Sequence, residues 1–138
     1  MSVITDAVAG VLAGDATLAA QLSTFDGAPA VFTARPVPEG AVPPFVITEG
    51  SVADRPDDTL GRFGRAIARD ISVWFPAHDD PTDLESAAER IRTLFHHQPL
   101  SVTGFHHVMT RASGPIPAPA SGDEMGRVVT IIVNLQQT

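Results

Sequence analysis

Five histidines are the first residues that could do chemistry: His78 alone, then the adjacent pairs His96/His97 and His106/His107. Imidazole binds zinc readily and titrates near neutral pH. The two pairs flank a short connection, so one histidine of each could meet at a helix-to-strand corner, where a carboxylate such as Asp79 would complete a metal set. Against this, adjacent side chains point in different directions at a helix end and across a strand, and the spacing matches no known ligand string. Surface and capping roles explain both pairs, and neither a metal nor another cofactor is expected.

A second cluster, "ADRPDDTLGRFGR", sets Asp54, Asp57 and Asp58 among Arg55, Arg62 and Arg65. Paired carboxylates can exchange protons with a substrate, but these lie on a glycine-containing stretch with no nucleophile partner. "GRFG" lacks the lysine and spacing of a phosphate loop, and neither a zinc-protease helix nor a nucleophile elbow occurs. The expectation is a solvated or subunit-facing loop on a protein that is not an enzyme.

Composition narrows the partners. The 138 residues suit one domain, spanning 1–138, with 43% hydrophobic and 18% charged residues. Net charge is -7, and all nine cations are arginine, a residue favoured in bidentate pairs and at interfaces but also produced by GC-rich coding. No basic face is available to neutralise phosphates, so tight duplex binding is disfavoured and an acidic surface would repel DNA. Absence of cysteine excludes disulfides and thiolate metal sites. The start "MSVITDAVAG" has no basic region and no signal-like apolar core, and no apolar run is long enough for a bilayer, so no membrane role is expected.

These residues must be positioned by a recognisable set of elements. Ser2 is a candidate N-cap for a helix with Val3, Ile4, Ala7, Val8, Val11 and Leu12 on one stripe, and Asp15 caps a further turn carrying Leu18 and Leu22. Residues 30–34 form a short strand. The four prolines Pro36, Pro38, Pro43 and Pro44 then fix an extended, stiff lead-in to a strand at 45–49, because proline sets φ and donates no hydrogen bond. Residues 51–65 read as a long polar loop. From Ala66 to Phe75 the pattern alternates, with Ile67, Arg69, Ile71, Val73 and Phe75 on one face and Trp74 a core residue on the other. Arg69 breaks the apolar face and is expected near the strand's open end. Thr82 with Glu85 reads as a capping box for a helix whose apolar face is Leu84, Ala87, Ala88, Ile91, Leu94 and Phe95. A strand at 105–111, a second loop rich in proline, glycine, alanine and serine at 113–124, and a near-continuously apolar final strand "RVVTIIVNLQ" complete the chain. The fold class is α+β: a mostly antiparallel sheet of about five strands with two main helices on one face, in the order α-β-β-β-α-β-β.

The pattern resembles the tail-terminator (tail-completion, or head-to-tail joining) family of long-tailed phages and gene transfer agents. The resemblance runs through "AVAGVLAGDATLAAQL", "VFTARPVPEGAVPPFVITEG", "RDISVWFPAHD", "DLESAAERIRTLF" and "GRVVTIIVNLQ", and its most specific piece is the arginine-proline, spacer, Pro-Phe-Val-Ile run. It implies a structural virion protein of the tail or neck, assembled in the host cytoplasm. Such a protein forms a homo-oligomeric ring, usually a hexamer, which caps the tail tube protein, ends polymerisation and meets the head-tail connector while DNA slides through the lumen without specific binding. On that reading the arm and polar loop supply the subunit or tube interface: Arg35, Pro36, Pro38, Pro43, Pro44, Asp54, Arg55, Asp57, Asp58, Arg62 and Arg65. The "GPIPAPASGDE" insert departs from the family's pattern. Alternatives are a neck or head-completion adaptor, a small histidine-dependent metal enzyme, and a stand-alone ligand-binding module.

Overall fold

The apolar stripe at the N-terminus becomes α1 (Ser2–Gly14), which buries Ile4, Val8 and Leu12 completely. The computed structural model describes residues 2–34, 36–48, 51–56 and 64–137. Asp15 then caps the short α2 (Ala16–Ala19) by accepting from the Leu18 amide at 2.8 Å, and its carboxylate is also gripped by Arg90, 75 residues away. The Arg90 contact holds the Asp15 carboxyl below its ordinary pKa against the opposing effect of burial. One short side chain thus starts α2 and ties it to a distant helix.

Two small strands, β1 (Thr24–Phe25) and β2 (Ala28–Pro29), form a hairpin turned by Asp26 and Gly27, both at positive φ. β3 (Val31–Phe32) and β4 (Phe45–Ile47) follow and pair in parallel, while the other strand pairings among the described residues are antiparallel. Next come β5 (Ser51–Pro56), β6 (Gly64–Pro76), α3 (Pro81–Phe95), β7 (Phe105–Ser121) and β8 (Glu124–Gln137). The sheet order is β3-β4-β6-β8-β7, with β5 also paired to β6. β4 and β5 line the same edge of β6 one after the other, β4 opposite Ser72 to Trp74 and β5 opposite Arg65 to Arg69.

The expected α+β architecture stands, with three helices on one face of a mixed, mostly antiparallel sheet. Ile67, Ile71, Val73 and Phe75 of β6 and Val129, Ile131, Val133 and Leu135 of β8 meet Leu84, Ala87, Ala88, Ile91 and Phe95 of α3 in the main core. On the other face Trp74 packs with Phe32, Phe45 and Ile47, and Val37 and Ala41 close over this second cluster. Gly126 lies directly opposite Trp74, where a Cβ would come within 2.7 Å of the indole ring. That position has room for glycine and little else.

Four sequence expectations need correction. The polar segment after Thr48 is strand at Ser51–Pro56 rather than loop, because β6 extends far enough toward Gly64 to offer it a partner. The proline-rich segment continues β7 to Ser121 instead of looping out. Pro115, Pro117 and Pro119 are spaced two apart and so remove donors from one side of the strand only, and β7 is an edge strand with no partner on its outer side among the described residues. The cap of α3 is Asp80, accepting from the Thr82 amide at 2.9 Å, with Pro81 at the first helical position; Thr82 is inside the helix, and Glu85 is bound by Arg127. Finally, Arg69 is not at an open end.

Arg69 is 0% exposed at mid-strand, on the same face as Ile67 and Ile71, and none of its guanidinium nitrogens has a hydrogen-bond partner among the described residues. Burial pulls its pKa down, yet a guanidinium stays charged. A lone buried charge opposes folding. Arg69→Leu should therefore raise the stability measured by denaturant unfolding by about 1–4 kcal/mol, the range seen when buried ionic groups give way to packed hydrophobes. A destabilised variant would show that the guanidinium is doing more than filling space.

Candidate functional site

The proline arm is held where it runs into β4. The Val46 amide donates to Ala30 O at 2.9 Å, the Ser23 amide donates to Pro44 O at 2.9 Å, and the Ala41 amide closes a turn on Pro38 O at 3.1 Å, with Gly40 supplying the positive φ (87°) that this turn needs. Val37 and Ala41 face the Trp74 cluster, leaving Pro36, Pro38 and Val42 exposed and Pro43 and Pro44 half-buried. The arm is a ridge clamped onto the sheet. Val42 and Pro43 form one wall of a groove of about 740 Å³ whose other wall is Pro76, Ala77, His78 and Gly122 to Glu124.

Of the other expected interface residues, Asp54 and Arg65 form a two-contact ion pair across β5 and β6, one of its contacts at 3.0 Å. Arg55 is exposed one residue further along β5, where with Pro56, Ala66, Arg111, Ile132 and Asn134 it lines a polar hollow of about 350 Å³. Arg35, Asp57, Asp58 and Arg62 lie outside the described residues. The hollow brings together Arg55 and Arg111, 56 positions apart in sequence. Sequence reading missed Arg111, which becomes legible once β7 is known to continue: Thr110 and Ala112 are buried, so Arg111 between them must face the helix-free side.

The histidines divide between the two ends of the molecule. His78 pairs with Asp79 at 3.6 Å beyond Pro76, whereas His96, His97 and His107 gather at the far end of α3. The expected corner exists, since His97 and His107 line one hollow of about 270 Å³. The expected third ligand does not, because Asp79 is at the opposite end of the sheet, and no group of three metal-capable side chains occurs among the described residues. The rings do structural work instead. His96 Nδ1 accepts from the Ala112 amide at 3.1 Å and its ring stacks on His97 at 3.9 Å, while the His97 backbone amide donates to Thr110 O at 2.8 Å. His107 Nε2 and Thr110 Oγ1 are 2.7 Å apart.

An Nδ1 acceptor requires neutral His96, and burial, followed by the charges of His97 and Arg92, lowers its pKa from 6.5. Burial and then His106 lower that of His107 as well. A base whose folded pKa is depressed contributes stability that is present above its unfolded value and is lost as the pH falls through the folded value. Tm should therefore decline as the pH falls below about 6.5, the ordinary histidine pKa. A His96→Ala/His107→Ala variant should show a shallower decline; an identical slope would assign the pH dependence to other groups.

No family model and no curated protein matches this sequence. Among solved structures, the fold matches a chain of the virion of a native gene transfer agent particle with a TM-score of 0.78 at 20% sequence identity, covering 96% of this chain and 94% of that one.

Proposed function

We propose that this chain is a structural protein of a phage-like particle, and that it acts as a ring, a hexamer by the family resemblance, that caps the tail tube and joins it to the head connector. The observation that carries the reading is the near end-to-end fold likeness to a chain of a gene transfer agent virion. The sequence resemblance supports it independently. Among the described residues no nucleophile, base and orienting group converge, and the hollows are shallow depressions rimmed by arginine, histidine or carboxylate.

The arm fits this role physically. Its prolines fix φ whether or not a partner is bound, so docking the Pro36 to Val42 ridge against a neighbouring subunit or the tube costs less conformational entropy than ordering a free loop. The net charge of -7 would keep a lumen from holding DNA.

Deleting the coding sequence from a cell that makes the particle should leave unjoined heads and tails of irregular length in electron micrographs. Joined particles with tails of normal length would overturn the proposal, and unjoined tails of uniform length would favour the neck-adaptor alternative. Replacing Pro36, Pro38, Pro43 and Pro44 by alanine should weaken assembly while changing the Tm of the subunit by only a few degrees. Assembly equal to that of the unaltered chain would exclude the arm from the interface.

A further inference from the structure

Charge is distributed unevenly along the strands. Arg90 is paired with Asp15, Arg127 with Glu85 and Arg65 with Asp54, and Arg69 is buried. The cations left without an ion pair among the described residues are Arg55, Arg92 and Arg111. All three lie toward the Gly64 end: Arg55 is opposite Ala66, Arg111 is opposite Ile132, which is itself opposite Ala68, and Arg92 is in the last turn of α3. The Pro76 end is the reverse. Asp79, Asp80 and Asp83 stand at the start of α3, and the β7-β8 turn brings Asp123 and Glu124 beside them, with the Ala77 amide donating to Asp123 O at 2.7 Å and Pro76 opposite Glu124.

Each end also carries an apolar centre. Around the arginine hollow, the helix-free face offers Ile132, Ala66 and Met109, which is 45% exposed and opposite Asn134. At the acidic end the groove beside Asp123 and Glu124 is walled by Pro43, Pro76 and Val42, which is 58% exposed. Asp70 is the carboxylate on the helix-free face of β6, and it is occupied in accepting from Thr130 Oγ1 at 2.7 Å.

We propose that the Arg55/Arg111 hollow of one subunit receives the Asp123/Glu124 end of a second copy of this chain, so that subunits join head to tail. The two patches differ and complement each other, which is the arrangement of a heterologous contact that closes into a ring when the rotation between subunits permits. Arginine suits the role because its planar fork takes a carboxylate through two hydrogen bonds. The inference rests on the ring reading and specifies the contact that would build it.

Sedimentation velocity at low salt tests the contact with two variants and their mixture. Arg55→Glu/Arg111→Glu makes the hollow acidic like the Asp123/Glu124 patch, and Asp123→Arg/Glu124→Arg makes that patch basic like the hollow, at positions with no side-chain ion pair among the described residues. Each variant alone should self-associate at least tenfold more weakly than the unaltered chain, and an equimolar mixture should recover the unaltered oligomer by alternating the two. If the unaltered chain assembles and the arginine variant assembles equally well, this contact is wrong while the ring survives. If two crippled variants fail to rescue each other, the patches do not meet. An unaltered chain that stays monomeric at all concentrations overturns the contact and the self-assembling ring together.

Discussion

Everything in this fold hangs on β6, a strand of 13 residues paired along its whole length with β8 and, on its other edge, first with β4 and then with β5. Its two faces are buried for different reasons. Ile67, Ile71, Val73 and Phe75 lie under the helices, and Trp74 lies under the hairpin of β1 and β2 and the proline arm. Because side chains alternate along a strand, a slip of one residue would exchange these two sets and place Asp70 in the helix-facing core. The register is therefore fixed from both sides, and the arm and the two charged ends inherit their positions from it.

Local signals were legible where they did not depend on distant partners. The stripe of α1, the Asp15 cap, the apolar face of α3 and the alternation of β6 could all be read from a few neighbouring residues. What was illegible was set by pairing. Nothing in "SVADRP" separates a loop from a strand until β6 presents its open edge, and "GPIPAP" is tolerated as strand because β7 lies at the sheet edge among the described residues. The α3 cap was read two residues late because Thr82 and Glu85 match a capping box, whereas Asp80 followed by proline satisfies the same orphan amide. The sequence places Arg69 near the strand's open end because a buried charge runs against the general rule, and only the packed sheet shows it buried at mid-strand, with no hydrogen-bond partner among the described residues.

The same logic separates the two kinds of charge. Asp15 with Arg90 and Glu85 with Arg127 join elements far apart in sequence and are consumed by the fold. Among the described residues, Arg55 and Arg111 at one end, and Asp123 and Glu124 at the other, make no ion pair within the subunit. These charges lie beside exposed apolar residues, and the proposed head-to-tail contact draws on them. Two of the histidines, His96 and His97, secure the junction between α3 and β7.

Native mass spectrometry of the purified chain across a concentration series addresses the central claim most directly. A closed ring of six subunits would have a mass of six times 14.5 kDa, about 87 kDa, and should appear as a discrete species carrying no metal. A subunit that remains at 14.5 kDa at every concentration, or an open ladder of oligomers with no preferred size, would contradict a self-closing ring.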